Sequence, residues 1–511
     1  MLSLSLSEQS SSLPIIISLT LLSLSFIILL LKRSSSFTTK KFNLPPSPPT
    51  FPIIGNLHQF GIYPHRSLAK LAQIHGPIML LHLGSVPALV ISSADMAREI
   101  MKTHDLIFSD RPKSKVNQIL LYGQKDVAAA PYGEYWRQMK SICVLHLLSN
   151  KRVQSYRDVR EEETDLVVDR IKKSCSSPVN LSEIFAKLTN DITCRIALGR
   201  KYSGTERGRS FKELLTEFTE LLGGFDVGDF IPWLGWVSSA KGLYAKAEKI
   251  AKEMDEFFDG VVDEHVASDN WKVESKNNDF VDVLLWIQKE NTAGFPFDIT
   301  AIKAIILDIF AGGTDTTYTV LEWVMTELLK HPKVMKILQD ELREITKNKS
   351  EITEDDLNKI PYLKAVIKET LRLHPPIPLL VPRISTGDVK LKGFDIAART
   401  LVIINDYAIG RDPALWDKPE EFFPERFLNS GIDFKGQNFE LIPFGSGRRI
   451  CPGVQFAMSN DELALAKLLN KFDWELHGVE RVEDLDMTEC TGLTIHRKFP
   501  LFALATPYSS S

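Results

Sequence analysis

The residue with the clearest chemical potential is a cysteine in the segment Phe444-Gly-Ser-Gly-Arg-Arg-Ile-Cys-Pro-Gly453. An apolar helical pattern follows at once, from Val454 to Leu469, so Cys451 is expected near the amino end of a helix. Free backbone N–H groups and the helix dipole at that end favour a thiolate, which is either a metal ligand or a nucleophile. Taken alone, the segment is also compatible with a buried structural cysteine, a broken dinucleotide loop or a protease nucleophile.

A second unusual segment is Gly312-Gly-Thr-Asp-Thr-Thr317, which interrupts a long apolar helical pattern. Glycine in a helix interior costs about 1 kcal/mol relative to alanine, so something is expected to approach the backbone closely there. Thr316 can hydrogen-bond to a carbonyl one turn earlier and open the helix. Without further context, such a segment is more often a kink or a packing notch.

A third pattern pairs opposite charges on one helix face. Glu369 and Arg372 are three residues apart, the spacing at which helical side chains meet. Solvated pairs of this kind are common, but the surrounding apolar residues indicate burial.

Together these segments resemble the cytochrome P-450 family. Phe444, Gly447, Arg449, Cys451 and Gly453 match its haem-thiolate loop. The same chain carries, in the family's order, segments similar to its oxygen-activating helix motif, its ExxR pair and its PERF segment. These are Gly312 to Thr317, Glu369-Thr-Leu-Arg372 and Phe423-Pro-Glu-Arg-Phe427. With Trp136-Arg137 and a proline-rich segment near the start, the resemblance covers essentially the whole chain, and it is nearest to the plant A-type microsomal enzymes.

The resemblance implies a role for each motif. Cys451 would be the axial ligand of the iron of haem b, and Asp315 and Thr316 would deliver the protons used in dioxygen activation. Glu369, Arg372 and Arg426 would form a buried ionic triad that holds the loop of Cys451.

The resemblance also implies which residues contact the haem. The candidates are Phe444, Gly445, Arg449, Arg383, Trp136 and Lys140, with Arg137 and Arg111 as further cations. Lys140 stands where the family usually has arginine. Lysine keeps the positive charge but cannot donate two parallel hydrogen bonds to one carboxylate, as arginine does. Gly312 stands where related plant enzymes commonly carry alanine, which would enlarge the pocket beside the iron.

The substrate pocket is expected above the haem. By position it would be lined by Val116 to Tyr122, Ile305 to Ala311, Ile377 to Val381 and Thr491 to Leu493. These segments are mostly apolar, with Asp308 as an exception, which indicates a lipophilic small molecule oriented by few polar contacts.

The elements that would position these residues are mainly helical. Strand patterns are few, with a hairpin around Gly84 and Pro87 and short extended pieces at Val389 to Leu391 and Thr400 to Ile404. The sequence therefore predicts one large, mainly α domain with a minor β portion. Helical periodicity covers Arg66 to Ile74, Ser93 to Thr103, Lys151 to Lys173, Ala301 to Lys330, Pro332 to Thr346 and Pro361 to Leu373.

The amino-terminal segment reads as a membrane anchor. Residues 13–31 are uncharged and, as a helix, would reach roughly 28 Å. Basic residues follow the apolar run rather than precede it, which favours a retained anchor over a cleaved signal and a cytosolic location for what comes next. We therefore expect a lumenal terminus at 1–12, a transmembrane helix at 13–31, a basic and proline-rich linker at 32–57 and a catalytic domain at 58–511, on the endoplasmic reticulum membrane.

Composition excludes several other classes. The 511 residues carry 61 Lys and Arg against 65 Asp and Glu, so bulk electrostatics do not favour nucleic acid as a partner. Five scattered cysteines are too few to stabilise a chain of this length by disulfide bonds, which indicates a reducing compartment. No CxxC or HExxH spacing occurs, so zinc sites lack support.

The resemblance to the plant A-type enzymes implies an O2-dependent monooxygenase acting on a lipophilic plant specialised metabolite. Terpenoids, alkaloids or indoles, and phenylpropanoids or coumarins are all in range. Electrons would come from NADPH through a separate cytochrome P-450 reductase, with cytochrome b5 as a second donor. Two alternatives remain: a haem-thiolate dehydratase or isomerase, for example acting on an oxime, and a noncatalytic membrane binder of haem or a small molecule.

Overall fold

The computed structural model describes residues 17–26, 42–174, 177–203, 206–268, 278–347, 349, 351–478 and 480–509, and the side chains of 206–212 are outside that description. Helices dominate, which confirms the mainly α prediction. The α-helices are α1 Pro64–His75, α2 Ala94–Arg98, α3 Lys115–Leu120, α4 Glu134–Ile142, α5 Asn150–Ser155, α6 Arg157–Lys173, α7 Leu181–Leu198, α8 Glu206–Leu222, α9 Val227–Phe230, α10 Gly235–Ala240, α11 Leu243–Ser268, α12 Phe280–Lys289, α13 Ile299–Lys330, α14 Pro332–Thr346, α15 Pro361–Leu373, α16 Asp406–Ile409 and α17 Val454–Lys471.

Three small sheets complete the fold. The largest has the order β1-β2-β7-β4, in which the predicted hairpin β1–β2 is antiparallel and β2 runs parallel to β7. Strand β4 places Arg383 opposite Val402, at the sheet edge. The strands are β1 Ile78–Leu83, β2 Val86–Ile91, β3 Val179–Asn180, β4 Arg383–Ile384, β5 Val389–Leu391, β6 Phe394–Ile396, β7 Leu401–Ile404, β8 Phe472–Leu476 and β9 Phe502–Pro507, with β3-β9-β8 and β5-β6 as the other two sheets.

The long helix α13 runs through the main hydrophobic core. Its start is fixed by Asp298, whose side chain accepts a hydrogen bond from the Ala301 N–H at 2.8 Å, and it ends at Lys330, before Pro332 opens α14. The turns before Gly312 and the last four turns are largely buried, and the helix packs against α7, α15 and α17. Because α13 is packed along most of its length, the residues around Gly312 keep a fixed position relative to the neighbouring helices.

Two predicted helices differ from the observed elements. The stretch Lys151 to Lys173 divides into α5 and α6 at Tyr156, whose buried hydroxyl donates to the Asn278 carbonyl at 2.5 Å. The stretch Ser93 to Thr103 continues from α2 into a π-helical turn, Glu99–Thr103. At Tyr156 a tertiary contact interrupts a helix that periodicity alone would leave continuous.

The predicted anchor lies mostly outside the described residues. Residues 17–26 are helical and exposed, and none of the helices in the described ranges has the length and apolar character needed to cross a membrane. The proline-rich part of the linker lies against the domain. The Leu80 N–H donates to the Pro46 carbonyl at 2.9 Å, and the buried Asn56 side chain donates to the carbonyls of Pro48 and Pro49.

Candidate active site

Cys451 lies at the end of a loop whose shape depends on glycine. Gly445 and Gly447 both have left-handed backbone angles, φ +70° and +69°, which other residues adopt only with strain. A Cβ at Gly447 would also meet the Met101 carbonyl oxygen at 2.1 Å. The loop closes where the Cys451 N–H donates to the Phe444 carbonyl at 2.9 Å, and α17 starts three residues later. The cysteine therefore stands before a helix N-terminus, as the sequence predicts.

The Cys451 side chain lies deep in the molecule and still has accessible surface. Burial raises its pKa, while the Gly453 N–H, 3.3 Å from Sγ, and the positive charge of Lys140 act in the opposite direction. Because burial is the larger influence, a positively charged ligand such as iron is needed to keep the sulfur as a thiolate.

Four buried or half-buried cations gather beside this loop: Arg111, Arg383, Arg449 and Lys140. Burial lowers the pKa of Lys140 to about 8 and that of Arg383 and Arg449 to about 10, and repulsion among the cations adds to the effect for Lys140 and Arg449. Within the described residues only Arg383 has an ion-pair partner, with Asp105 at 3.6 Å. Such an excess of positive charge suits a ligand with carboxylates.

The cations also tie neighbouring segments together. Arg449 donates to the carbonyls of Ser109, Val127 and Ala130 at 2.7, 3.2 and 2.6 Å, and its guanidinium lies 4.2 Å from the Trp136 ring centre. Lys140, one turn after Trp136 on α4, donates to the carbonyls of Arg448 and Ile450, the latter at 3.1 Å. It therefore holds the backbone next to Cys451. Of the two further cations, Arg111 joins the cluster, whereas Arg137 is exposed and lies over the Tyr132 ring.

The central helix has an uncovered stretch of backbone at Gly312. This glycine is exposed within an otherwise buried helix, and a Cβ added to it would meet no atom within 4 Å. The Thr316 hydroxyl donates to the Gly312 carbonyl at 2.6 Å, the bond expected from the spacing. Gly313, in contrast, faces Phe456 of α17 at 3.4 Å from its added Cβ, so the helix passes close to the helix of Cys451.

Asp315 is directed toward a different space from Gly312. It borders a cavity of about 750 Å³ that reaches between α7, α8 and the segment Glu489 to Thr494. Burial raises the pKa of Asp315, while a hydrogen bond to Thr494 and the positive charge of His496 oppose the rise. The pKa of His496 is itself raised to about 9, because hydrogen bonds to Cys490 and the Arg497 carbonyl outweigh its burial. Asp315 therefore lies at the wall of this cavity, next to Thr494 and His496.

The three residues of the predicted triad meet in the interior. Arg372 binds both carboxylate oxygens of Glu369 at 2.8 Å, and Arg426 Nε lies 3.0 Å from Oε1. Oε1 also accepts the Phe423 N–H, and Arg372 donates to the carbonyls of Gly410 and Pro419 at 2.6 Å each. These bonds fix the segment from Gly410 to Arg426. They do not reach the Cys451 loop directly, so any support for that loop passes through this segment.

The residues present fit haem b on three counts. A cysteine sulfur with a backbone N–H donor is a suitable iron ligand. The bare Gly312 leaves room for a flat group against the helix. The cation cluster matches the propionate carboxylates of the haem.

Sequence reasoning missed two acids of the site. Asp105 accepts the Arg448 N–H at 3.1 Å and pairs with Arg383 and Arg448. Asp126 is fully buried next to Asp308 of α13. Both belong to segments without a helical or motif spacing that links them to their partners, so only the tertiary fold brings these groups together.

Comparison with known proteins agrees with this geometry. The family model for cytochrome P450 matches residues 45–501. Cytochrome P450 736A117 of Prunus mume is 60% identical over 506 residues, 98% of each chain, and norfluorocurarine oxidase of Strychnos sp. is 53% identical over 93% of this chain and 95% of its own. A zebra fish cytochrome P450 solved with abiraterone shares the fold, with a TM-score of 0.75 at 23% identity over 88% of this chain and all of its own. With the cysteine loop, the cation cluster and the bare Gly312 of the central helix in place, the chain belongs to the cytochrome P450 family of haem-thiolate monooxygenases.

Proposed function

We propose that this protein inserts one oxygen atom from O2 into a lipophilic plant specialised metabolite, a terpenoid, an alkaloid or indole, or a phenylpropanoid or coumarin. The observation that carries the proposal is the placement of Cys451 before α17, whose Phe456 packs against α13 at Gly313, next to the bare Gly312 and the Thr316 hydroxyl bonded to it. A relative named for oxidation of norfluorocurarine supports an oxidation of a plant metabolite.

In this proposal each residue has a defined task at the haem. When bound, the haem supplies the iron at which dioxygen is reduced and activated, and a cysteine thiolate ligand favours O–O cleavage. Cys451 is that ligand. Arg449, Arg383 and Lys140 bind the propionates, with Trp136 packed on Arg449, and Phe444 and Gly445 shape the loop.

Proton delivery is assigned to two adjacent residues of α13. Asp315 takes protons from the cavity that it borders together with His496, and its raised pKa lets it carry a proton nearer to neutral pH than an ordinary carboxyl group. Thr316 then holds the proton donor or a water beside Gly312, because its hydroxyl is fixed by the Gly312 carbonyl.

The proposal also includes the electron donors and the location of the protein in the cell. Electrons come from NADPH through a separate cytochrome P-450 reductase, with cytochrome b5 as a second donor, at the outer side of the Cys451 loop where Arg448 is exposed. Residues 13–31 anchor the protein in the endoplasmic reticulum membrane, and the domain 58–511 faces the cytosol. The mostly apolar segments predicted for the substrate pocket support a lipophilic substrate.

The first experiment is a reduced carbon monoxide difference spectrum of the full chain in microsomes. Wild type should give the strongly red-shifted Soret band of cysteinate ligation, and Cys451→Ala should lose it while Cys490→Ala keeps it. A band typical of histidine ligation in the wild type would overturn the assignment of Cys451.

Turnover then separates the alternatives. Lipophilic plant metabolites are incubated with NADPH and reductase, with and without O2. Product that forms only with O2 supports the monooxygenase. Turnover without O2 would indicate a dehydratase or isomerase instead, and a loaded haem with ligand binding but no turnover would indicate a noncatalytic binder.

A further inference from the structure

Two carboxyl groups meet inside the molecule next to the active site. Asp308 lies on α13, one turn before Gly312, and Asp126 belongs to the segment that connects α3 and α4. The residue after Asp126, Val127, donates its N–H to Asp308 Oδ2, so the chain holds the two carboxyl groups close enough for each to affect the pKa of the other. Asp126 is fully buried and Asp308 is half-buried.

Each carboxyl group also accepts a backbone hydrogen bond from the connecting segment. Asp308 Oδ2 lies 2.5 Å from the Val127 N–H nitrogen, and Asp126 Oδ2 lies 2.7 Å from the Ala129 N–H nitrogen. The remaining oxygen of Asp126 is buried and accepts no hydrogen bond. A proton carried by Asp308 and donated to Asp126 would satisfy that oxygen and remove the repulsion between two charges.

Val127 connects this pair of carboxyl groups to the residues of the proposed haem site. Its N–H is bound by Asp308, and its carbonyl accepts hydrogen bonds from Trp136 Nε1 at 2.9 Å and from Arg449 at 3.2 Å. One residue therefore links the central helix to both side chains that border the Cys451 loop. Without the bond to Asp308, its N–H would be buried and unpaired, because Val127 is only 8% exposed.

We propose that Asp126 and Asp308 share one proton and act as positioning residues, fastening Val127 between the central helix and the Arg449–Trp136 pair as long as that proton is present. This inference goes beyond the proposed function and does not depend on the substrate. Four other ionisable groups face the pair: the guanidinium groups of Arg111 and Arg449, the thiol of Cys143 and the phenol of Tyr135.

The direction of the pH effect follows from the surroundings. Burial raises the pKa of both carboxyl groups, that of Asp308 well above its usual range and that of Asp126 to about 6. The charge of Asp126 adds to the rise for Asp308, while backbone hydrogen bonds and Arg111 limit the rise for Asp126. Asp308 is thus the group that carries the proton at neutral pH. As pH rises, the proton is lost, the two carboxylates repel each other, and the hold on Val127 weakens.

The test uses the full-length haem protein and the isosteric variant Asp308→Asn. Its amide can accept the Val127 N–H and donate to Asp126 at every pH. The matched control is Asp259→Asn, which removes an exposed carboxylate that pairs with Lys303 from α13. The infrared difference between wild type and Asp308→Asn at pH 7.5 should show the loss of a protonated carboxyl C=O band, and the control should show none.

Hydrogen exchange gives the second measurement. After correction for intrinsic rates, the segment from Asp126 to Ala130 in the wild type should exchange roughly tenfold faster at pH 9 than at pH 7. In Asp308→Asn the same segment should have equal corrected exchange rates at pH 7 and pH 9. The proposal is wrong if no protonated carboxyl band is lost in the variant, if the wild-type segment exchanges no faster at pH 9, or if the variant retains the wild-type pH dependence.

Discussion

The Thr316 hydroxyl is expected to affect proton delivery rather than haem binding. Its hydrogen bond to the Gly312 carbonyl lies at the uncovered stretch of backbone, whereas Thr319 makes the same type of bond, to the Asp315 carbonyl at 2.8 Å, in a fully buried part of α13. Thr316→Ala should therefore keep the haem spectrum but lower product formed per NADPH consumed by roughly tenfold or more. Thr319→Val is the control, and it should leave this ratio unchanged. Equal coupling in wild type and Thr316→Ala would refute proton delivery by Thr316.

Lys140 affects the cysteine through its charge. Its positive charge lowers the pKa of Cys451, against the larger effect of burial, and its ammonium group holds the loop backbone at Ile450. In Lys140→Met the reduced carbon monoxide spectrum should convert from the thiolate to the thiol form at a pH about one unit higher than in wild type. Lys140→Arg, which keeps the charge, should stay near the wild-type midpoint. An unchanged midpoint in Lys140→Met would show that the charge does not act on Cys451.

At the scale of elements, the triad joins α15 to the segment that precedes the cysteine loop. Glu369 and Arg372 are both buried, and Arg372 also donates to backbone carbonyls of that segment. Glu369→Ala would leave a buried guanidinium without its carboxylate and should lower the free energy of unfolding by about 3–5 kcal/mol. Denaturant unfolding of the haem-loaded protein measures this.

The matched control for the triad is an exposed pair on the neighbouring helix. Lys336 and Asp340 of α14 are 2.8 Å apart, with more than half of each side chain exposed. Asp340→Ala should change the free energy of unfolding by less than about 0.5 kcal/mol. Similar losses for both variants would mean that the triad stabilises the fold no more than a surface ion pair does.

Elements with a strong local pattern were predictable from sequence, and contacts across the fold were not. Periodicity predicts α14 and α15 with their observed bounds because their caps and apolar faces lie within one stretch of chain. The motif around Cys451 likewise predicts a loop before a helix. The pairing of Arg383 with Asp105 and of Asp308 with Asp126 depends on packing between distant segments, so no local pattern encodes it. The break at Tyr156 has the same cause, since the anchoring carbonyl belongs to Asn278.

At the scale of the whole molecule, the net charge of −4 gives no general attraction to an electron donor, so local charge must orient the encounter. The Cys451 loop presents such a charge. Arg448 is exposed on it, with half of its side chain accessible, and its partner Asp105 is mostly buried at 3.3 Å. The positive side of this pair therefore faces outward, three residues from the sulfur that the electron must reach.

Reversing that charge should weaken reductase docking. In Arg448→Glu, electron transfer from the reductase at low salt should fall by roughly tenfold, and the difference from wild type should shrink at high salt, because screening shortens the reach of the charge. Arg481→Glu is the control, since Arg481 is equally a surface arginine with an acidic neighbour, Asp484, but lies far along the chain from the loop. Stopped-flow reduction under carbon monoxide at two salt concentrations measures both variants. A loss in Arg448→Glu that does not depend on salt would point to a damaged loop rather than to lost attraction, and an equal loss in Arg481→Glu would mean that docking responds to overall charge and not to the surface beside Cys451.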